Sequence, residues 1–565
     1  MCGIFSIINN NITKEDVFKN AFNNGKNRGP EYSVINYGDV NNKTVFGFHR
    51  LAINGFKDTL SDQPFYIKNC SLICNGEIYN FKKLYKDCEF ENVSKSDCEI
   101  IIHLYKKYGM EHTLQLLDGV FAFILFDYEK NEIYIARDTY GVRPIFFNYN
   151  NDKQYIFASE MKQIISLIQP NTTIQQFNPG TYSKFIFDTT DDTYKLNVVN
   201  KAFSTTNIFY NKTIINETMA LKLIRTSLEK SVEKRVKNTD RDIACLLSGG
   251  LDSSLIASLV KKYHKKYYPM KKLHTWSIGI KGSEDLKYAK TVANHINSEH
   301  HSIEIEKEDL LNIINEVIYT IESYDTTTVR ASVPNYLISK YIKNYENICD
   351  AKVIFNGDGS DELTGGYLYF HYIDDPYEFD KECRRLLNNI HCFDVLRSDR
   401  TISNNGLEAR TPFLDRGFVQ NYLSIPPEFR CHTSNKLCEK YLLRKAFDDG
   451  ITLPTSVLWR TKEAFSDGVS GKNKSWYEVI QNHVKENIFV GEDYPDDEQE
   501  LIKLMIEETN IKHNLPTTLE QLYYRILYQK HFENQHMVIP YFWMPTYGNT
   551  KDASARTLDI YKKLN

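Results

Sequence analysis

The chain has 565 residues, with 42% hydrophobic and 25% charged side chains, which suits a globular protein of roughly three to four domain-sized units at most. A formal net charge of -4 argues against a basic nucleic-acid binder and against a long acidic tail. Eleven cysteines without a CxxC pair argue against a disulfide framework or a structural zinc site, and fit reduced thiols in the cytoplasm.

The N-terminus has neither the basic start nor the extended apolar run of a signal peptide. The longest plainly apolar stretch, Val120 to Phe126, is far short of the ~20 residues of a membrane helix. Thr44–Phe48, Ser71–Cys74, Ala122–Phe126, Ile133–Ala136 and Tyr155–Ala158 are short apolar or alternating segments between Gly and Asn/Asp turns. They predict strands stacked in sheets. From Asp188 to Asn211 the sequence turns polar and aperiodic and reads as a linker.

Leu221, Ile224, Leu228 and Val232 then recur at helical spacing within 216–236. A strand-like run, Ile243–Leu247, meets a Gly turn and an apolar helix at Leu255–Val260, and Val353–Phe355 meets a second Gly-rich turn at 357–359. Strands alternating with helices predict a parallel sheet with ligand at the carboxyl ends of its strands. Residues 375–530 read as mostly helical. The expected division is a first domain over 1–195 and a second over 212–545.

Ser248-Gly249-Gly250-Leu251-Asp252-Ser253-Ser254 follows a buried strand and opens a helix. Consecutive glycines allow a tight turn whose N–H groups face one anion, and the helix N-terminus adds partial positive charge. No Lys follows the glycines, so this is not a Walker loop, and cleavage between the α and β phosphates is favoured over γ-transfer. Asp252 offers hard oxygens for Mg2+ against a pyrophosphate. The pattern resembles the pyrophosphate loop of ATP pyrophosphatases.

Cys2 becomes the first residue once Met1 is removed, and its own α-amine is then available as base for its thiol. The same half offers partners for an amide substrate that carries an amino-acid end. Arg50 suits a carboxylate, Glu77 and Asp97 suit an ammonium, and Asn75 with Gly76 suit a developing oxyanion.

MCGI at 1–4, RGPE at 28–31, HRLAI at 49–53, CNGEIYN at 74–80, SDCE at 96–99, LDGVFAF at 117–123, ARDTYGVRP at 136–144 and FASEMK at 157–162 resemble class II glutamine amidotransferase domains, in that family's order. The resemblance implies Cys2 as nucleophile and Asn75 with Gly76 as oxyanion hole. It places glutamine against Arg50, Leu51, Ala52, Ile53 and Asn54, against Asn75, Gly76 and Glu77, and against Asp97. One departure is Asn27, where the family often has His before the RGP segment.

In the second half SGGLDSS at 248–254, HTWSIG at 274–279, IESYDTTTVRAS at 321–332, GDGSDELTGGYLYFH at 357–371, GLEARTPFLD at 406–415 and WRTKEAFSDG at 459–468 together resemble the asparagine synthetase family. YFWMP and SARTL within 541–558 look most like its eukaryotic-type members. The implied fold is an α+β N-terminal-nucleophile glutaminase domain layered α/β/β/α, then an α/β ATP-pyrophosphatase-type domain with a helical C-terminal part. The implied reaction joins glutamine-derived ammonia to aspartate through an aspartyl-adenylate, with ATP as substrate and Mg2+ as cofactor.

The resemblance further implies ATP contacts at Leu247, Ser248, Gly249, Gly250, Asp252, Ser253, Ser254, Ile278, Asn356 and Gly357. Mg2+ falls to Asp252 and Asp361, and Lys462 is the cation for phosphate charge. Thr327, Thr328 and Arg330 line the aspartate and pyrophosphate side. Asp361 and Glu362 also suit capping of a helix N-terminus, and Arg330 equally suits a structural ion pair. Asp358 stands where the family usually has Glu, and Asn356 where Ser is common. The shorter carboxylate keeps the proton chemistry but changes its reach.

Two other readings remain. One is an amidotransferase acting on another carboxylate, which TTTVRAS and GYLYFH disfavour; the other is a non-catalytic binding descendant, which the joint presence of Cys2, Arg50, Asp97, Asp252, Asp361 and Lys462 disfavours. The expected partners are small-molecule substrates, with no nucleic acid and no membrane, and a homodimer is left open.

Overall fold

The computed structural model describes the chain apart from residues 11–12, 39–42, 150–152, 170–171, 435, 463–474, 491–494, 496 and 565. Its strands, in chain order, are β1 (Gly3–Ile8), β2 (Tyr32–Tyr37), β3 (Thr44–Arg50), β4 (Phe65–Ile67), β5 (Cys70–Ile78), β6 (Gly119–Asp127), β7 (Glu132–Arg137), β8 (Phe146–Tyr149), β9 (Tyr155–Ala158), β10 (Gln175–Gln176), β11 (Thr181–Asp188), β12 (Thr193–Ala202), β13 (Asp242–Leu246), β14 (His274–Ile280), β15 (Glu299–Ile305), β16 (Ala351–Phe355) and β17 (Glu408–Arg410).

The first half holds two six-stranded sheets, ordered β10-β8-β9-β1-β3-β2 and β12-β11-β7-β6-β5-β4, with antiparallel neighbours. Alternation along the strands gives each sheet two apolar faces. Ile4, Ile8, Phe46 and Phe48 of one sheet meet Ile73, Ile124, Phe126 and Ile135 of the other in a shared core. On the outer faces Phe5 and Ile7 pack against Phe18 and Phe22 of the helix Glu15–Asn23, and Leu72 and Phe123 pack against Leu84, Ile101 and Leu104 of two further helices. Both sheets are thus covered on both sides, the α/β/β/α layering implied by the resemblance.

The linker expectation for Asp188 to Asn211 needs correction. Thr193–Ala202 is a ten-residue strand paired with β11. It lies at the sheet edge, where Tyr194 and Leu196 face the core between the sheets and, past a register shift, Val198 packs on the outer-face cluster, while Lys195, Asn197 and Val199 are exposed. Polar residues between them hid the alternation.

The second half is a five-stranded sheet, β15-β14-β13-β16-β17, with every neighbouring pair parallel. Helix Glu217–Val236, capped by Asn216, packs its Ile224, Leu228 and Val232 in the same core as the helix Leu251–Tyr267. Helices dominate from Pro376 onward. No described helix is long and apolar enough to cross a membrane.

Candidate functional site

Two clusters of polar groups converge, one in each half. In the first, Cys2 precedes β1, and its backbone N–H donates to Asn75 Oδ1 at 3.1 Å while its Sγ lies 3.7 Å from the Leu51 carbonyl oxygen. Asn75 is fully buried on β5, and its Nδ2 has no hydrogen-bond partner among the described residues. An unsatisfied buried amide is costly, and this donor is available to a ligand beside Cys2. Gly76 is required by packing: a Cβ there would lie 2.7 Å from the Val120 carbonyl oxygen on β6. Burial pushes the Cys2 thiol up. Met1, itself buried, has its amine pushed down to about 6 by burial.

Around this cysteine the end of β3 and the loop after it, with Glu77 of β5 and Asp97, supply the rest. Arg50 Nη1 is 2.6 Å from Asp62 Oδ1, and Nη2 donates to the Gly55 carbonyl at 2.8 Å, which fixes the guanidinium plane. Asn54 Nδ2 donates to Glu77 Oε2 at 2.8 Å. Leu51, Ala52 and Ile53 are buried in the wall. Asp97 Oδ2 accepts the Ile78 N–H at 2.5 Å, and burial pushes Asp97 up to about 6. Burial, Asp97 and Glu408 together push the Glu77 carboxyl well up. Two poorly solvated carboxyls thus lie close together, with Arg410 3.2 Å from Glu77 as their cationic neighbour.

The second cluster lies where β13 and β16 end. The loop Ser248–Ser254 turns at Gly249 (φ +79°), where a Cβ would be 2.5 Å from the Ala289 nitrogen. Ser253 Oγ accepts the Ser248 N–H at 3.1 Å and closes the loop. At Gly357 a Cβ would fall 2.8 Å from the Asp252 Cβ, so glycine lets the second Gly-rich turn abut the first. One cleft is lined by Leu247, Ser248, Gly250, Asp252, Ser253, Ile278, Thr327, Asn356, Gly357, Asp358, Asp361 and Lys462.

Charge in the cleft is arranged in two groups. Lys440 Nζ is 2.6 Å from both Asp252 Oδ2 and Asp361 Oδ1, and Lys462 Nζ is 2.7 Å from Asp361 Oδ2. Burial alone would raise the Asp361 carboxyl, but the two ammonium groups hold it well below the usual range. Beside them Asp358 is gripped on both oxygens: Oδ1 is 3.0 Å from Arg397 Nη2 and Oδ2 is 2.6 Å from Asn356 Nδ2. Burial still leaves the Asp358 carboxyl above its ordinary value despite Arg397. Asp361 and Glu362 lie in the first turn of the helix Ser360–Thr364, but no side chain caps its N-terminus.

Among the residues expected in the cleft, Gly249, Ser254, Thr328 and Arg330 do not line it. Thr328 is bound through its N–H and Oγ1 to Asp325 at 2.8 and 2.7 Å, closing the N-terminus of the helix Thr326–Asn344. Arg330 is buried between Glu520 (2.5 Å) and Asp552 (2.7 Å), an ion cluster tying that helix to the C-terminal segment. The motif at 459–468 extends beyond Lys462 into 463–468, which lie outside the described residues. Lys440, Arg397 and Asp394 line the cleft without having been expected. Asp394 and Arg397 carry a weak signal, an acid–base pair three apart on one helix. Lys440 carries none, being a left-handed residue (φ +59°) between a loop and a short helix.

The two clusters share buried ion pairs. Arg28 donates to the Cys2 carbonyl at 3.0 Å and pairs with Asp399 at 2.7 Å. Asp399 stands on the helix Asp394–Ser403, whose first turns present Asp394 and Arg397 to the cleft. Arg410 of β17 reaches Glu77 at 3.2 Å, while its carbonyl accepts the Asn356 N–H at 3.2 Å.

Two family models match the chain: a glutamine amidotransferase domain over residues 1–217 and asparagine synthase over 223–378 and 372–504. The asparagine synthetase [glutamine-hydrolyzing] of Bos taurus is 39% identical over 578 residues, covering 100% of this chain and 99% of its own. That of Gallus gallus is 39% identical over 580 residues and that of Homo sapiens 38% over 578, with the same coverage. With both halves matched in order and relatives alike from end to end, the chain belongs to the glutamine-hydrolysing asparagine synthetases.

Proposed function

We propose that Cys2, freed as an N-terminal residue by loss of Met1, hydrolyses glutamine, and that the ammonia is used on aspartate activated in the Asp358 cleft. Once Cys2 is N-terminal, its α-amine takes the thiol proton and the thiolate attacks the glutamine amide carbon. The developing oxyanion falls to Asn75 Nδ2, with Gly76 beside it. Ammonia leaves, and water releases glutamate from the thioester. Arg50 holds the α-carboxylate, while Glu77 and Asp97 hold the α-ammonium. Leu51, Ala52, Ile53 and Asn54 form the wall.

In the second cleft the aspartate side-chain carboxylate attacks the α-phosphate of ATP, and pyrophosphate departs. Ammonia then attacks the acyl carbon of the aspartyl-adenylate, loses a proton, and AMP leaves with asparagine formed. Ser248, Gly250 and Ser253 cradle phosphate, Leu247, Ile278, Asn356 and Gly357 seat the nucleotide, and Lys462 meets phosphate charge. Asp252 and Asp361 converge on one ammonium, 2.6 Å from each. Two hard carboxylates aimed at one cationic point fit Mg2+, which there would neutralise pyrophosphate. Asp358, with its carboxyl raised by burial, is suited to accept the proton ammonia gives up. Thr327 faces the aspartate side, and Arg330 acts by anchoring its helix.

One observation carries the reading: the helix Asp394–Ser403 faces Asp358 at its start and, through Asp399 and Arg28, the Cys2 carbonyl further on. A single helix in contact with both sites supports internal transfer of ammonia. Free, mostly buried thiols support a cytoplasmic setting. The test is product analysis with ATP, Mg2+, aspartate and either glutamine or an ammonium salt. Asparagine with AMP is expected from both. In Cys2→Ala the glutamine-driven reaction falls at least about 10³-fold and the ammonium-driven one persists. Loss of both would make Cys2 structural and sink the assignment.

A further inference from the structure

At the end of the parallel sheet away from the nucleotide loop, the edge strand β15 and its neighbour β14 begin at Glu299 and His274. Their register sets His274 beside Glu299 and Trp276 beside His301. Period-two alternation places His274, Glu299 and His301 on one face. His274 Nδ1 lies 3.0 Å from His301 Nε2, the rings are within 7° of parallel, and ligand atoms of all three residues lie within 4.8 Å of one another.

All three are half-buried, open enough for an ion to enter. Two nitrogens at ~2.0–2.1 Å from a tetrahedral ion stand about 3.3 Å apart, so a small ring rotation converts the observed pair into a chelate. Trp276 stacks on the His301 ring at 4.1 Å and steadies it from the buried side. His300 points to the other face, where Thr275 and Ser277 hold its nitrogens at 3.0 and 3.1 Å.

We propose that His274, His301 and Glu299 bind a first-row divalent transition ion of the Zn2+ or Ni2+ class, apart from both sites of the synthetase reaction. Two imidazoles and one carboxylate favour such ions over Mg2+, which prefers an all-oxygen set. The remaining coordination positions are left to water. Glu299 also holds Lys272 Nζ at 3.0 Å, but that lysine side chain is 79% exposed and swings into solvent when an ion arrives.

Trp276, almost wholly buried and lining the nucleotide cleft, is the natural reporter. Ni2+ is titrated into the full-length chain and tryptophan emission followed at neutral pH. Saturable quenching in the micromolar range is expected, reversed by Zn2+ and unaffected by millimolar Mg2+. His274→Ala and His301→Ala each weaken it at least about tenfold. Lys272→Ala, an exposed change that leaves the fold intact, tightens it by freeing Glu299. In Trp276→Phe the quenching is lost while one equivalent of Zn2+ still binds by equilibrium dialysis. Absence of saturable quenching in the native chain overturns the proposal, as does undiminished quenching in both His variants or no tightening in Lys272→Ala. The imidazole pair is then a hydrogen bond only.

Discussion

Lengthening Asp358 to Glu tests how the cleft has adjusted to its shorter carboxylate. Both oxygens are engaged, at 3.0 Å by Arg397 and at 2.6 Å by Asn356. Asn356 is itself buried, and its Nδ2 also reaches Ser398 Oγ at 2.7 Å. An added methylene extends the side chain by ~1.5 Å, which the Asn356 amide at 2.6 Å leaves no room to absorb. The carboxylate must then rotate away and loosen both contacts. Hydrogen bonds to a charged group are each worth about 1.5–3 kcal/mol, and displacement of a reacting group by about 1 Å costs ~10²-fold.

Asp358→Glu alone is therefore expected to slow pyrophosphate release with aspartate, ATP and ammonium by about 10²-fold. Serine at 356 is shorter and restores the space. Asn356→Ser combined with Asp358→Glu is expected to recover most of that loss, a coupling of at least about 1.4 kcal/mol. Ammonium as nitrogen source keeps Cys2 out of the measurement, and thermal midpoints show whether the variants fold. Additive losses, or Asp358→Glu faster than the native chain, would refute the idea that Asn356 and Asp358 are matched in length.

Arg330→Met leaves the buried Glu520 and the half-buried Asp552 without their cation, an expected loss of about 3 kcal/mol read as a lower thermal midpoint. A fall in kcat with no loss of stability would instead give Arg330 a direct part in the chemistry. Burial raises Asp97 from 3.8 to about 6, so the folded state holds this proton more tightly than the unfolded one. Stability from this group is present below about pH 4 and is lost as pH rises through 6. Asp97→Asn removes a cost of about 3 kcal/mol at pH 7.5, raising the thermal midpoint there and losing the advantage at pH 4. A pH-independent difference would contradict this, and the variant should in either case bind glutamine poorly.

Much of this protein is determined by local sequence. The short apolar runs over 122–126 and 133–136, bounded by turn residues, and the helical spacing of Leu221 to Val232 report a choice made by each segment's own apolar pattern, and β6, β7 and the helix Glu217–Val236 follow it. Gly249 and Gly357 are legible for a similar reason, because a tight turn or close strand approach needs glycine wherever it occurs. The edge strand β12 was hidden because its outward residues are solvated, so half its pattern carries no core signal.

Tertiary structure alone decided which charges meet. Lys440 is 188 residues from Asp252, and Arg28 is 371 residues from Asp399. Nothing local marks either as a partner, since an isolated Lys or Arg reads as a solvated surface residue. Likewise Arg330, set beside the threonines in sequence, is drawn off by Glu520 and Asp552 across the fold. Short-range periodicity and turn chemistry are written residue by residue, whereas the pairing of buried charges follows from where the completed sheets and helices bring them.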